Sequence, residues 1–284
     1  MSVGTVARKD LTSMRRSRAL WAAGTVLVLF TVLFAYWTES FGVSEREAVV
    51  RLFSTLTMAI AVVLPIVALV ASYLAIAGER RSGGIKFLLG VPNSRRDVFL
   101  GKLASRVGLV AGGLAFAFVA ASSIAVARHG ALPARTVLGL LAVSLVYATI
   151  WVGIGVSLSA AVAARGRAIA AAFGSYFVLI IVFALPFGLV PSFVRWLNER
   201  LLGLEPNQHL YDATTHVSPY IAFRKAANLA FPEAEEAQLF RRSAEAGADL
   251  PVYLTDEFSL VVLGLWLVVP AVIGYRRFQR LDLD

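Results

Sequence analysis

The 284-residue chain contains no cysteine, so no disulfide, thiolate metal site or thiol nucleophile can be built from it. Histidine is nearly as scarce, with only His129, His209 and His216. Charge is thin: Asp, Glu, Lys and Arg make up 16% of residues, against about 25% in an average soluble protein. The charge that exists avoids six long windows, 19–37, 54–77, 107–127, 136–163, 168–194 and 258–275, and so does histidine.

Each absence excludes a chemistry. Ser157, Ser159 and Ser175 fall within these windows, but with no histidine beside them an intramembrane Ser–His pair cannot form. Ion-driven carriers use Asp, Glu, His or Arg at membrane depth as relays, and none is present there. A phosphate-cradling G-x-x-x-x-G-K-[ST] loop is missing too. Its nearest match, Gly101-Lys102, is followed by Leu103 and has Arg96 where the first glycine belongs. The chain holds no nucleotide cofactor by that route.

What is present is apolar: 58% of residues are hydrophobic. A helix needs about 20 mostly apolar residues to cross the hydrocarbon, so the six windows predict six transmembrane helices. The first is preceded by Arg15, Arg16 and Arg18 but ends in FAYWTES, which lacks the small-residue cleavage pattern of a secretory signal. With the N-terminus inside, segments 1–18, 78–106, 164–167 and 276–284 carry 17 Lys and Arg against 5 acids, and the outer segments 10 against 13. The positive-inside bias therefore predicts cytoplasmic N- and C-termini. The basic pI of about 10.2 comes from those inner segments, whose charge suits anionic lipid and a partner protein rather than nucleic acid.

Residues 1–18 place Val3, Val6, Ala7, Leu11 and Met14 near helical spacing, with Arg8, Lys9, Arg15 and Arg16 opposite. This predicts an amphipathic helix on the inner membrane surface. Pro65 interrupts the second window, and Pro186 and Pro191 fall near the end of the fifth; Pro65 and Pro186 are candidate hinges. Gly153, Ser157 and Ala161, and likewise Gly155, Ser159 and Ala163, recur every four residues. Small residues at that spacing let helix backbones approach closely, within the chain in preference to between subunits.

Residues 195–257 are too long for a connector and predict a helical extracytoplasmic subdomain. Trp196, Leu197, Leu201 and Leu202 suggest one helix at the outer interface, and 221–230 a second in the same place. PEAEEAQLFRR reads as a solvated helix start, with Pro232 near its first position. In HLYDATTH, His209, Asp212 and His216 fall at i, i+3 and i+7. These are the residue types of a metal site, and equally those of a solvated loop, so no metal is expected.

The most informative stretch is ERRSGGIKFLLGVPNSRRDVFLGK, Glu79 to Lys102. Its middle is too short to span and too greasy to be solvated alone. Val91-Pro92 must leave the helical region. Ser94-Arg95-Arg96-Asp97 then has capping-box spacing, with Ser94 as N-cap and Asp97 at N3. The result is helix, tight corner, helix, with a short amphipathic piece below the membrane. An interfacial turn dipping its apolar side into lipid would also fit.

This stretch resembles the signature after the second span in permeases of type-two ATP-binding-cassette exporters, in the subgroup with the membrane subunit that serves nitrous oxide reductase maturation. ARKDLTSMRRSRALW is similar to that family's surface helix and first-span start, and six spans with a large loop before the last also match. The resemblance covers essentially the whole chain. It implies an all-α, six-span permease without enzymatic activity, exporting cargo with ATP and Mg held by a separate cassette ATPase present in two copies. It implies a second permease, either an identical copy or a related chain. It also implies that 83–91 forms a coupling helix docking on the ATPase: Gly83, Ile85, Lys86, Phe87, Leu88 and Leu89 make the contact, with Arg95 and Arg96 beside them. The alternatives are a non-transporting membrane scaffold recruiting a cytoplasmic partner through 79–102, and a channel or ATP-independent carrier.

Overall fold

A computed structural model describes residues 3–14, 17–37, 44–81, 94–130, 132–162, 164–184, 188–231 and 251–280. Among them the chain is helical, and no strand occurs. Helix α1 (Val3–Met14) precedes α2 (Arg18–Trp37), α3 (Glu45–Ser72) and the five-residue α4 (Ala77–Arg81). After them come α5 (Arg95–His129), α6 (Ala134–Ala161) and α7 (Arg165–Ala184), the last containing a π-helical turn at Phe177–Ile181. Helices α8 (Leu189–Trp196), α9 (Gln208–His216), α10 (Pro219–Asn228) and α11 (Asp256–Gln279) follow.

Five described helices are long and apolar enough to cross a membrane: α3 with α4, α5, α6, α7 and α11. The first predicted span, 19–37, coincides with α2, 20 residues long, whose Gly24–Trp37 part is a shorter apolar helix. The protein is a multi-pass membrane protein.

Helix α6 is the hub, packing on α3, α5, α10 and α11. Lipid tails are as apolar as leucine, so helices in a membrane are held by close packing and hydrogen bonds rather than by expulsion of water. The small residues of α6 act this way inside the chain. A methyl group added at Gly155 would meet Ser72 on α3, with its Cβ 3.0 Å away. Ser157 donates to the Pro270 carbonyl on α11 at 2.8 Å, an approach allowed by Gly274, where an added Cβ would lie 2.6 Å from Ser157 Cα.

Two expectations need correction. The fifth window, 168–194, is not one helix: α7 ends at Ala184 and α8 begins at Leu189, after Gly188 in the left-handed region (φ 55°). A left-handed glycine redirects the chain at little steric cost. The second outer helix is also not at the interface. Nine of the ten residues of α10 are buried, and it packs on α11, α6 and α3. Phe223 of α10 stacks on Tyr147 of α6, with ring centroids 4.2 Å apart and planes at 13°. Nothing in the spacing of Ile221, Phe223 and Ala226 distinguishes a helix buried in protein from one lying on lipid.

Candidate functional site

The helices on either side of residues 82–93 are held by specific contacts. Span α3 does not run straight into α4. At 73–76 the α-helical pattern breaks, and the Ala75 N–H bonds to Ser72 O instead of Ala71 O. Three of the groups released by this break are taken up by neighbouring helices. Ser159 Oγ on α6 accepts both the Ile76 and the Ala77 N–H, each at 3.0 Å, and Arg106 Nη1 on α5 donates to Ala71 O at 2.8 Å.

Beside the break lies a buried ion cluster. Lys102 Nζ reaches Asp10 Oδ1 at 2.5 Å and Glu79 Oε1 at 2.8 Å. Arg106 donates through Nη2 to Asp10 Oδ1 at 3.2 Å; its Nε lies 3.1 Å from Asp10 Oδ2, too bent to be a hydrogen bond. Ser105 Oγ donates to Asp10 Oδ2 at 2.6 Å. Two cations therefore face two carboxylates, with Asp10 and Lys102 only 4% and 3% exposed. Removing one member of such a pair strands a buried charge, at a cost of about 3–5 kcal/mol.

Asp10 belongs to α1, and sequence reasoning passed over it. Val6, Asp10 and Met14, at i, i+4 and i+8, form one stripe of α1 and are all buried, while Arg8 and Lys9 are exposed. The stripe faces α5, where a Cβ added at Gly101 would lie 2.7 Å from Val6 Cβ. Val6, Asp10 and Met14 of α1 thus meet protein, while Leu11 stays exposed. A carboxylate at the centre of an apolar stripe was the available signal.

Beyond the loop, Ser94 and Asp97 form a reciprocal cap at the start of α5: Asp97 N–H donates to Ser94 Oγ at 3.1 Å, and Ser94 N–H to Asp97 Oδ2 at 3.0 Å. Arg95 donates through Nη1 to the Phe278 and Gln279 carbonyls, both at 2.9 Å, which places its charge at the negative end of the α11 dipole. Arg96 is exposed. Gly83, Ile85, Lys86, Phe87, Leu88 and Leu89 lie outside the described residues, as do Pro186 and the acidic run from Pro232.

A second constellation surrounds Pro65. A proline inside a helix leaves the carbonyl four residues earlier without its N–H donor. That carbonyl belongs to Ala61, and Tyr147 OH on α6 donates to it at 2.9 Å. Tyr176 OH on α7 donates to the adjacent Val62 carbonyl at 3.3 Å. Tyr176 immediately precedes the π turn, where Ser218 Oγ at the cap of α10 donates to Leu179 O at 2.7 Å. The Pro65 site, the π turn and the buried α10 are thereby linked through side-chain hydroxyls. Between α3 and α7 lies an apolar groove of about 250 Å³, lined by Ile66, Val70, Tyr73, Ile169, Phe173 and Tyr176 among others.

In α9, His209 is exposed, Asp212 accepts from Gln208 Nε2 at 3.1 Å, and His216 Nδ1 lies 2.7 Å from the Asp212 backbone carbonyl. These polar groups are engaged within their own helix, and no group of three or more metal-type side chains occurs among the described residues. Burial holds His216 below its ordinary pKa, opposed by its hydrogen bond to the Asp212 carbonyl. Burial also lowers Lys225 on α10, although Asp256 stands 3.6 Å away and the Leu254 carbonyl accepts from its ammonium.

The arrangement joins and bends helices, and it assembles no reacting groups. Comparison with known proteins gives it a class: the family described as ABC-2 family transporter protein matches residues 4–283. The chain belongs to the ABC-2 transporter family. It is also similar to the "Probable ABC transporter permease protein NosY" of Pseudomonas aeruginosa, with 27% identity over 188 residues, covering 64% of this chain and 68% of that relative. As an ABC-2 permease it is the membrane subunit of an ABC transporter, a kind of subunit that is not itself catalytic and that generally pairs with a cassette ATPase.

Proposed function

We propose that this ABC-2 permease is the pathway-forming half of an ATP-driven exporter with six spans and cytoplasmic N- and C-termini in the prokaryotic plasma membrane. Two permeases, identical or related, form the pathway, and two ATPase subunits bind ATP and Mg and dock on residues 83–91. Arg96 flanks that docking segment, while Arg95 holds the stem to α11. ATP-driven closure of the ATPases pushes the two docking segments together. The kinked α3 and the neighbouring α7, with the apolar groove between them, form the wall that responds, with Pro65 as the hinge. A wall of this kind suits a hydrophobic or amphipathic cargo.

The observation that carries this reading is the fixation of both stems of the inner loop. Ser159 and Lys102 hold α4, and the Ser94–Asp97 cap and Arg95 hold the start of α5, so both ends of the segment 82–93 are held. A loop that only joined two spans would need no such fixation. The test is the double substitution Phe87→Asp and Leu88→Asp. Membrane insertion should persist while the ATPase subunit no longer co-purifies; full association of the double variant overturns the docking assignment. A scaffold would bind its partner without ATP hydrolysis, so stimulated hydrolysis and cargo movement in vesicles separate the two classes.

A further inference from the structure

The ion cluster has an asymmetry that simple adhesion does not require. Lys102 and Arg106 are one turn apart on α5, and both grip Asp10, but their other contacts diverge across the α3–α4 break. Lys102 reaches forward to Glu79 on α4. Arg106 reaches back to Ala71 O on α3. Asp10 is therefore the point at which the two sides of the break are tied together. Val6 against Gly101, together with buried Met14, would suffice to keep α1 on α5, and buried ion pairs generally do no better than apolar contacts at adhesion alone. Ion pairs add direction: the bonds form only at particular angles.

We propose that Asp10 is a positioning residue which, by holding Lys102 and Arg106 together, sets the angle at which α4 leaves α3, and so the point from which the chain enters the inner loop. Helix α1, α4 and the first turns of α5 then move as one body. Displacement of the loop by a docked partner is passed to α1 as well as to the spans. This consequence rests on the ATPase-docking reading above; the geometry of the joint does not.

The absence of cysteine makes a direct measurement simple. Spin labels on Ile66→Cys in α3 and Arg80→Cys in α4 straddle the break, and the full-length chain in lipid nanodiscs without ATPase gives their distance distribution. Asp10→Asn should shift or broaden that distribution, Asp10→Glu should largely preserve it, and Met14→Ala, which loosens α1 without touching a charge, should leave it unchanged. Lys102→Met removes the arm to Glu79 and should reproduce the Asp10→Asn change, which keeps the test available if Asp10→Asn fails to fold. An unaltered distribution in both Asp10→Asn and Lys102→Met overturns the proposal. So does an equal change in Met14→Ala, which would reduce Asp10 to a fastener. Co-purification of the ATPase with the wild-type chain is scored separately. Its failure would reject the docking reading while leaving the joint as measured.

Discussion

Tyr147 donates its hydroxyl hydrogen to the carbonyl of Ala61, the residue whose usual helical donor is displaced by Pro65. The kink in α3 is therefore not slack. Its released carbonyl is fastened to the hub helix by a side chain that is itself wholly buried and stacked on Phe223. Tyr147→Phe should destabilise the protein by about 1 kcal/mol, typical of a lost hydrogen bond. In a Pro65→Ala background residue 65 regains its own N–H, and the same substitution should cost less. Thermal unfolding of the four-member cycle in detergent measures the difference; equal costs in both backgrounds would show that the hydroxyl does not serve the kink.

Gly274→Val should be among the most damaging single changes. An overpacked core costs about 1–3 kcal/mol when side chains can shift, and here the obstacle is the Ser157 backbone. The yield of monodisperse protein should collapse, whereas Gly264→Val, at a glycine with open space around it, should be tolerated.

Arg95→Ala should free the end of α11. The guanidinium serves two terminal carbonyls, and a cation at a helix C-terminus is worth about 0.3–1 kcal/mol. Hydrogen exchange at residues 276–279 should rise while the middle of α11 stays protected; Arg95→Lys should restore part of the protection.

The outer helices should loosen in acid. Burial holds the folded His216 below its unfolded pKa of about 6.5, so folding favours the neutral ring. Its contribution is intact above that value and is lost as pH falls through the window down to the folded pKa. Proteolysis within 203–217 should accelerate between about pH 7 and pH 5, and His216→Gln should flatten that dependence. An unchanged profile would assign the acid sensitivity to another group.

Much of the bundle could be read directly from the sequence because lipid imposes a simple test on length and polarity. The long charge-free windows mark the helices, Ser94-x-x-Asp97 marks the start of α5, and the four-residue repeats of small side chains on α6 mark its close contacts. Partners are a different matter. Arg95 reads as a docking or lipid-facing arginine, and only three-dimensional structure brings it to the carbonyls of α11, more than 180 residues away. The ion cluster is not legible in the charge-free windows, because Lys102 and Arg106 lie just before the third. Asp10 stands among the basic residues of the first 18. The buried position of α10 was hidden for a deeper reason: an apolar helix has the same pattern whether it meets lipid or protein.

The placement of α10 also bears on the order in which the molecule is completed during synthesis. The helix is made after the hub α6, on which Phe223 stacks, and before α11, whose first residue Asp256 pairs with Lys225 beside the Leu254 carbonyl that also accepts from it. Until the final span has entered the membrane, α10 has only half of its binding cleft. A nascent chain halted before residue 256 would therefore carry α10 undocked, open to proteases and to chaperones that survey unfinished membrane proteins. Insertion of α11 is the step that completes the cleft around α10.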